Sequence, residues 1–233
     1  MIKNIVILLS IFLSLVLFKC HSRKTEKNSN TIKFIQKKKG DSLNLLTDIR
    51  PLLEDGDVSA VIEIPAGTLD KWELDKLTGE IRWQFIDNKP RIVNYIGYPG
   101  NYGMIPRTLL SKEKGGDGDP LDVLVLGPPA QRGDILKCKI IGVLFLMDRG
   151  EQDDKLIAIS NSSSLYHIND LADLNKNYIG VSEIIKLWFT NYKGSNKIES
   201  KGFGPKSIAK EILSDAIKEY NLNEIRVQQK LLK

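Results

Sequence analysis

The run Gly116-Asp117-Gly118-Asp119-Pro120-Leu121-Asp122 places three acids within six residues. Carboxylates this close repel one another, and a divalent cation relieves that repulsion. Gly118 lets the backbone turn between the acids, and Pro120 fixes a bend before the apolar segment Val123-Leu124-Val125-Leu126. The acids are therefore expected at a strand entrance, where hard oxygen donors suit magnesium, manganese or calcium better than zinc. Taken alone, such a run is more often a solvated acidic turn. Other charged segments along the chain change that weighting.

Glu63 alternates with Ile62 and Ile64, which places it on the opposite face of a strand. In Lys71-Trp72-Glu73-Leu74-Asp75-Lys76 the same alternation puts Lys71 and Glu73 on one face and Trp72 and Leu74 on the other. By themselves these residues read as charges on half-exposed strands. Arg91 precedes Tyr98-Pro99-Gly100-Asn101-Tyr102-Gly103, a turn-forming stretch whose phenols could cap a core or orient a reactive water. A second acidic loop runs from Asp148 through Asp153 to Lys155, and Tyr192-Lys193 closes the first long helical pattern.

The elements that must position these groups follow from periodicity. Strand-like runs cover Val58 to Ile64, Leu69 to Leu74, Ile81 to Phe85, Leu121 to Leu126, Ile135 to Phe145 and Lys155 to Ile159. Gly, Pro and Asp punctuate them, as in a compact β-barrel or strongly bent sheet. Helical spacing comes later. Val181, Ile184, Ile185, Trp188 and Tyr192 mark one apolar face, and Ile208, Ile212, Leu213, Ala216, Ile217 and Tyr220 mark another. The reading is an α+β domain over 43–220, strands first and helices packed on them, with a charged tail over 221–233.

The N-terminus differs in kind. Lys3 precedes an apolar run from Ile5 to Phe18, broken by Ser10 and Ser14, which is short for a membrane span and resembles an export signal over 1–20. Cys20 stands where a bacterial lipoprotein carries its lipid, with Leu17 three residues before it. An uncleaved anchor, or a signal cut elsewhere, is the alternative. Residues 21–42 are rich in Lys, Asn and Ser and read as a polar tether. The expected location is an exported, membrane-anchored one on the periplasmic face of a bacterial membrane, with the cytoplasm as the alternative.

At 233 residues, 42% hydrophobic and 27% charged, the chain has the composition of an ordinary folded protein. Much of its net charge of +5 lies in the tether, and no basic helix interleaved with aromatics occurs, which argues against a nucleic-acid partner. Cys138, within an apolar pattern, reads as a small core residue with neither zinc ligands nor a thiol-catalysis partner nearby. His21 and His167 receive no role, and the absence of a P-loop argues against that class of NTPase.

Taken in order from Ala60 to Lys193, these motifs resemble family I soluble inorganic pyrophosphatases, whose signature is the acidic run itself. The resemblance implies a five-stranded OB-like β-barrel with flanking C-terminal helices, and magnesium-dependent hydrolysis of inorganic diphosphate. It implies that Asp117, Asp122, Asp148 and Asp153 hold metal directly, with Glu63 and Glu73 binding through water, and that Asp119 accepts a proton from the attacking water. Lys71, Arg91, Lys155, Tyr192 and Lys193 would grip phosphate, with Arg82 as a possible substitute for Arg91. Tyr98 and Tyr102 would complete the pocket near Asp119.

Manganese is an expected substitute for magnesium, and calcium, with its larger and looser shell, an expected inhibitor. A homo-oligomer is expected, as in bacterial relatives. Two other readings stay open: a hydrolase of short polyphosphates or nucleotides, and a non-catalytic surface lipoprotein that binds divalent cations.

Overall fold

The computed structural model describes residues 43–231. The expected export segment and the whole of the expected tether, with Cys20 and His21, lie outside them. In chain order the elements are β1 Val58–Ile64, β2 Trp72–Asp75, β3 Glu80–Trp83, β4 Phe85–Ile86, β5 Lys89–Pro90, β6 Asn101–Met104, β7 Asp122–Leu126, β8 Ile135–Asp148, β9 Glu151–Gln152, β10 Lys155–Ser160, α1 Leu171–Asn177, α2 Val181–Asn191, β11 Ile198–Pro205 and α3 Lys206–Leu231.

Five strands close a ring in the order β1-β6-β7-β10-β8, with β8 pairing back onto β1. The long strand β8 makes closure possible. Its first residues pair with β1, its middle with β10, and its last part with β11. Irregular register between Ile157 and Ala158, and between Ile62 and Ile64, marks bulges of the kind that bend a strand and increase its twist. Within the ring β7 and β10 are parallel, whereas the other pairings are antiparallel.

Apolar residues fill both faces of these strands. Leu124, Ile141, Ile157 and Ile159 pack with Leu174 of α1 and Ile185, Trp188 and Phe189 of α2. Val123, Val125, Ile140 and Ala158 pack with Ala209, Leu213 and Ala216 of α3. Every residue of β1 is consequently buried, including Glu63 at 5% exposure. The half-exposed strand expected from the alternation does not occur. The alternation at Glu63 instead separates an apolar contact face from a cavity-facing position.

Three further expectations need correction. Asn101–Met104 is not a turn but ring strand β6, held between β1 and β7. Gly103 is required there by close approach, since a Cβ would lie 1.9 Å from the Val61 carbonyl oxygen. Strand β11 was not anticipated. The buried face of α2 comprises Ser182, Ile185, Trp188 and Phe189, while Ile184 is exposed. Phe189 takes the core place because its ring meets those of Tyr102, Trp188 and Tyr192.

Helix α3 buries Ala209, Leu213, Ala216 and Tyr220 at helical spacing and continues past Asn221 with mostly exposed residues as far as Lys230. The segment read as a charged tail is thus helical as far as Leu231. Cys138 is fully buried, and burial pushes its thiol well above the usual range. No helix among the described residues is long and apolar enough to cross a membrane.

Candidate active site

The parallel register of β7 and β10 sets the centre of the site. It aligns Val123 with Leu156, so the preceding residues, Asp122 and Lys155, enter side by side. The Lys155 ammonium donates to both Asp122 and Asp153 and is only 2% exposed. Burial alone would lower its pKa, but the two carboxylates outweigh burial and raise it. Lys155 is therefore a fixed cation.

The acidic run is framed by backbone contacts. Asp117 Oδ1 accepts from the Asp119 amide at 2.8 Å, and Gly118 between them has φ +84°. Leu110 donates to the Asp119 carbonyl and accepts from the Gly118 amide, both at 2.8 Å. Thr108 Oγ1 accepts from the Leu121 amide at 2.8 Å and donates to the Ile105 carbonyl at 2.6 Å. These bonds present Asp117 and Asp119 toward Asp122 without regular secondary structure.

A cavity of about 450 Å³ opens at this point. Seven carboxylates line it, from Glu63, Glu73, Asp117, Asp119, Asp122, Asp148 and Asp153. Five cations face them, from Lys71, Lys76, Arg91, Lys155 and Lys193, and the phenols of Tyr102 and Tyr192 join the wall. The motifs from β1, the β2–β3 hairpin, β6, the acidic loop, the β8–β10 turn and the end of α2 thus converge.

Burial dominates the electrostatics of the acids. It pushes Glu63 up to about 7, with Lys71 opposing and Asp122 reinforcing the shift, while Glu63 Oε1 accepts from the Leu74 amide at 2.8 Å. Burial also raises Asp117, helped by Asp119 and Asp122, and raises Asp153 against the pull of Lys155. The Tyr102 and Tyr192 phenols are pushed up by burial and by nearby acids, so both remain donors at neutral pH.

The donor set matches a hard divalent cation. Asp148 Oδ1 is buried with no hydrogen-bond partner among the described residues, a cost that a bound cation would remove. No three acids among the described residues stand grouped as a ready-made cation site. The reason is local: Lys155 lies between Asp122 and Asp153, Lys193 pairs with Asp148, and Lys76 pairs with Asp119. These ammonium groups supply the positive charge that the acids need.

One expectation changes at this level, and one alternative falls away. Tyr98 does not line the cavity. It is 3% exposed, with its ring 4.3 Å from Trp188 and 5.2 Å from Tyr102, and so backs the wall from the core. Arg91 lines the cavity and donates to Gln84, whereas Arg82 points into ion pairs with Asp75 and Glu80 at 3.2 and 3.3 Å. Lys76, Gln84 and Met104 also line the cavity, though sequence reasoning assigned them nothing. Lys76 had a usable signal, three residues beyond Glu73 on the same hairpin. Gln84 and Met104 had none.

The sequence profile of inorganic pyrophosphatases matches residues 60–221. The chain is 36% identical over 173 residues to the inorganic pyrophosphatase of Xylella fastidiosa, covering 70% of this chain and 89% of that protein. It is 39% identical over 171 residues to that of Campylobacter jejuni, covering 70% and 91% respectively. The crystal structure of type I inorganic pyrophosphatase from P. falciparum is similar with a TM-score of 0.74 and 26% identity, covering 83% of this chain and 68% of that one. Sequence, ringed fold and convergent acids agree: the chain belongs to the inorganic pyrophosphatase family and hydrolyses inorganic pyrophosphate to phosphate.

Proposed function

We propose that hydrolysis here depends on magnesium and proceeds by direct attack of water, with no covalent enzyme intermediate. The observation that carries this reading is the single cavity shared by Asp117, Asp122 and Asp153. These three and Asp148 would hold the cations directly, with Glu63 and Glu73 acting through water. Bound there, magnesium supplies charge neutralisation and acidifies water at neutral pH.

The chain's own groups do the rest. Asp119 accepts the proton of the attacking water, and it stands at the cavity edge beside Lys76. Lys71, Arg91 and Lys193 offset charge on the transferred phosphoryl and the departing phosphate. Lys155 turns part of its charge from Asp122 and Asp153 to phosphate when cations relieve those acids. Tyr102 and Tyr192 donate hydrogen bonds as neutral phenols.

The five-strand ring is read as an OB-like barrel. Residues 1–20 are read as an export segment and 21–42 as a tether, with lipid on Cys20 holding the enzyme to a membrane surface. The charge and hydropathy of the first twenty residues support that placement.

Phosphate release from diphosphate, followed against magnesium concentration, tests the catalytic reading. Asp119→Asn is expected to lower turnover by about 10²-fold or more, the range for a lost general base, while magnesium affinity is kept. Undiminished turnover removes Asp119 as the base.

A further inference from the structure

A second cavity of about 240 Å³ adjoins the catalytic one and shares Arg91, Tyr192 and Lys193 with it. The two differ in charge. Beyond the shared residues, Arg149 and Lys197 line the second cavity, and no carboxylate does. Asp148 precedes Arg149 in the chain but is already paired with Lys193. Neither Arg149 nor Lys197 has an ion-pair partner among the described residues. Both side chains are exposed, so they meet a ligand without losing an existing bond.

The backbone at Arg149 adds an independent observation. Arg149 and Gly150 form the two-residue connection between β8 and β9, with φ of +52° and +90°. Consecutive positive φ values define the hairpin turn that favours Asn-Gly, and a long side chain in the left-handed region costs about 1 kcal/mol or more. A turn selected for stability alone would carry Asn at 149. Here it holds a guanidinium at the rim of a phosphate site, and guanidinium matches phosphate oxygens in paired hydrogen bonds.

We infer that this basic annex receives a third phosphate group, so that short linear polyphosphates bind with their reacting anhydride in the catalytic cavity and their remaining end against Arg149 and Lys197. The inference rests on the proposed grip of Arg91, Tyr192 and Lys193 on phosphate, because the chain of phosphates must pass between the cavities there. With triphosphate, water adds to a terminal phosphorus and the adjacent P–O anhydride bond breaks. The bond's electron pair leaves with diphosphate, and the two protons of water are shared between diphosphate and orthophosphate. Both cavities are used by the longer substrate and only one by the shorter.

The test compares magnesium-dependent hydrolysis of tripolyphosphate and diphosphate by the full chain. Its variants are Arg149→Asn, which suits the turn, Lys197→Ala, and the pair combined. The double variant is expected to raise KM for tripolyphosphate about tenfold, the loss of charge-assisted contacts worth about 1.4 kcal/mol, with the diphosphate KM within twofold of wild type. Lys197→Ala alone, outside the turn, is expected to give about a threefold rise. Equal shifts for both substrates, or none, overturn the inference, as does wild-type enzyme that cleaves diphosphate but neither cleaves nor is inhibited by tripolyphosphate. Weakened inhibition by free orthophosphate with an unchanged tripolyphosphate KM assigns the annex to released product and also overturns it. Wild-type protein inactive on diphosphate would instead contradict the hydrolase reading itself.

Discussion

Replacing Lys155 with methionine keeps an unbranched stem of similar reach and removes the ammonium that bridges Asp122 and Asp153. With Lys155 2% exposed, the two carboxylates then face one another with little water to screen them. Breaking a buried ion pair from one side costs about 3–5 kcal/mol. For a domain of this size each kcal/mol lowers Tm by about 2–4 °C, so Lys155→Met in EDTA should melt roughly 10 °C below wild type. One of the stranded acids should also take up a proton at neutral pH.

Magnesium offers the same acids another counter-charge, so the difference in Tm should shrink to less than about half in millimolar magnesium. Turnover should not recover with it if, as proposed, the lost cation also serves phosphate; a fall of about 10²-fold or more is expected. Thermal unfolding by circular dichroism, with and without magnesium, reads the first effect, and phosphate release reads the second. An equal fall in Tm under both conditions would refute the argument that Lys155 and divalent cations neutralise the same carboxylates. Lys155→Arg, which keeps the charge, serves as the folding control.

Glu63 makes a prediction with a defined pH window. Its folded pKa of about 7 lies above the reference of 4.5, so the folded chain binds the extra proton and loses stability as pH rises between these values. Glu63→Gln should remove a penalty of about 3 kcal/mol above pH 7 in EDTA, with no gain below pH 4.5; urea unfolding at several pH values checks it, and an unchanged pH slope counts against it. At the other end of the chain, Cys20→Ser should abolish incorporation of radiolabelled lipid and shift the protein out of the membrane fraction. Unchanged partition would exclude lipid as the anchor.

Strands whose apolar residues contact neighbours on both faces were legible in outline. Val58–Ile64 was bounded as found, and the Lys155 strand was missed by one residue at its end. Strand β6 escaped notice because Tyr98 to Gly103 carries the Pro, Gly and Asn that ordinarily mark turns. Gly103 serves close packing against β1 instead, a demand visible only once the ring is closed. Strand β11 failed to register for a similar reason, with Lys201, Gly202 and Gly204 interrupting its apolar pattern.

The site was more legible than the fold because charge is costly to gather, and its residue types and order left a trace in the chain. Tyr98 shows the limit. Its neighbour Tyr102 reaches the cavity, but the tilted packing of Tyr98 against Trp188 follows from how α2 packs rather than from the local motif. Gln84 entered the cavity wall through its bond to Arg91, which no local pattern signals.

The parallel alignment of β7 with β10 has a consequence for how this enzyme tolerates change. Lys155 meets Asp122 because two ladders are counted from the same rung, and deleting one residue within either would turn the next side chain to the opposite face. The surface loop between β7 and β8 carries no such constraint, unlike β8 itself and the turn that bears Asp148 and Asp153. Natural variation should therefore accumulate as insertions in that loop, while the two strands themselves change only by substitution.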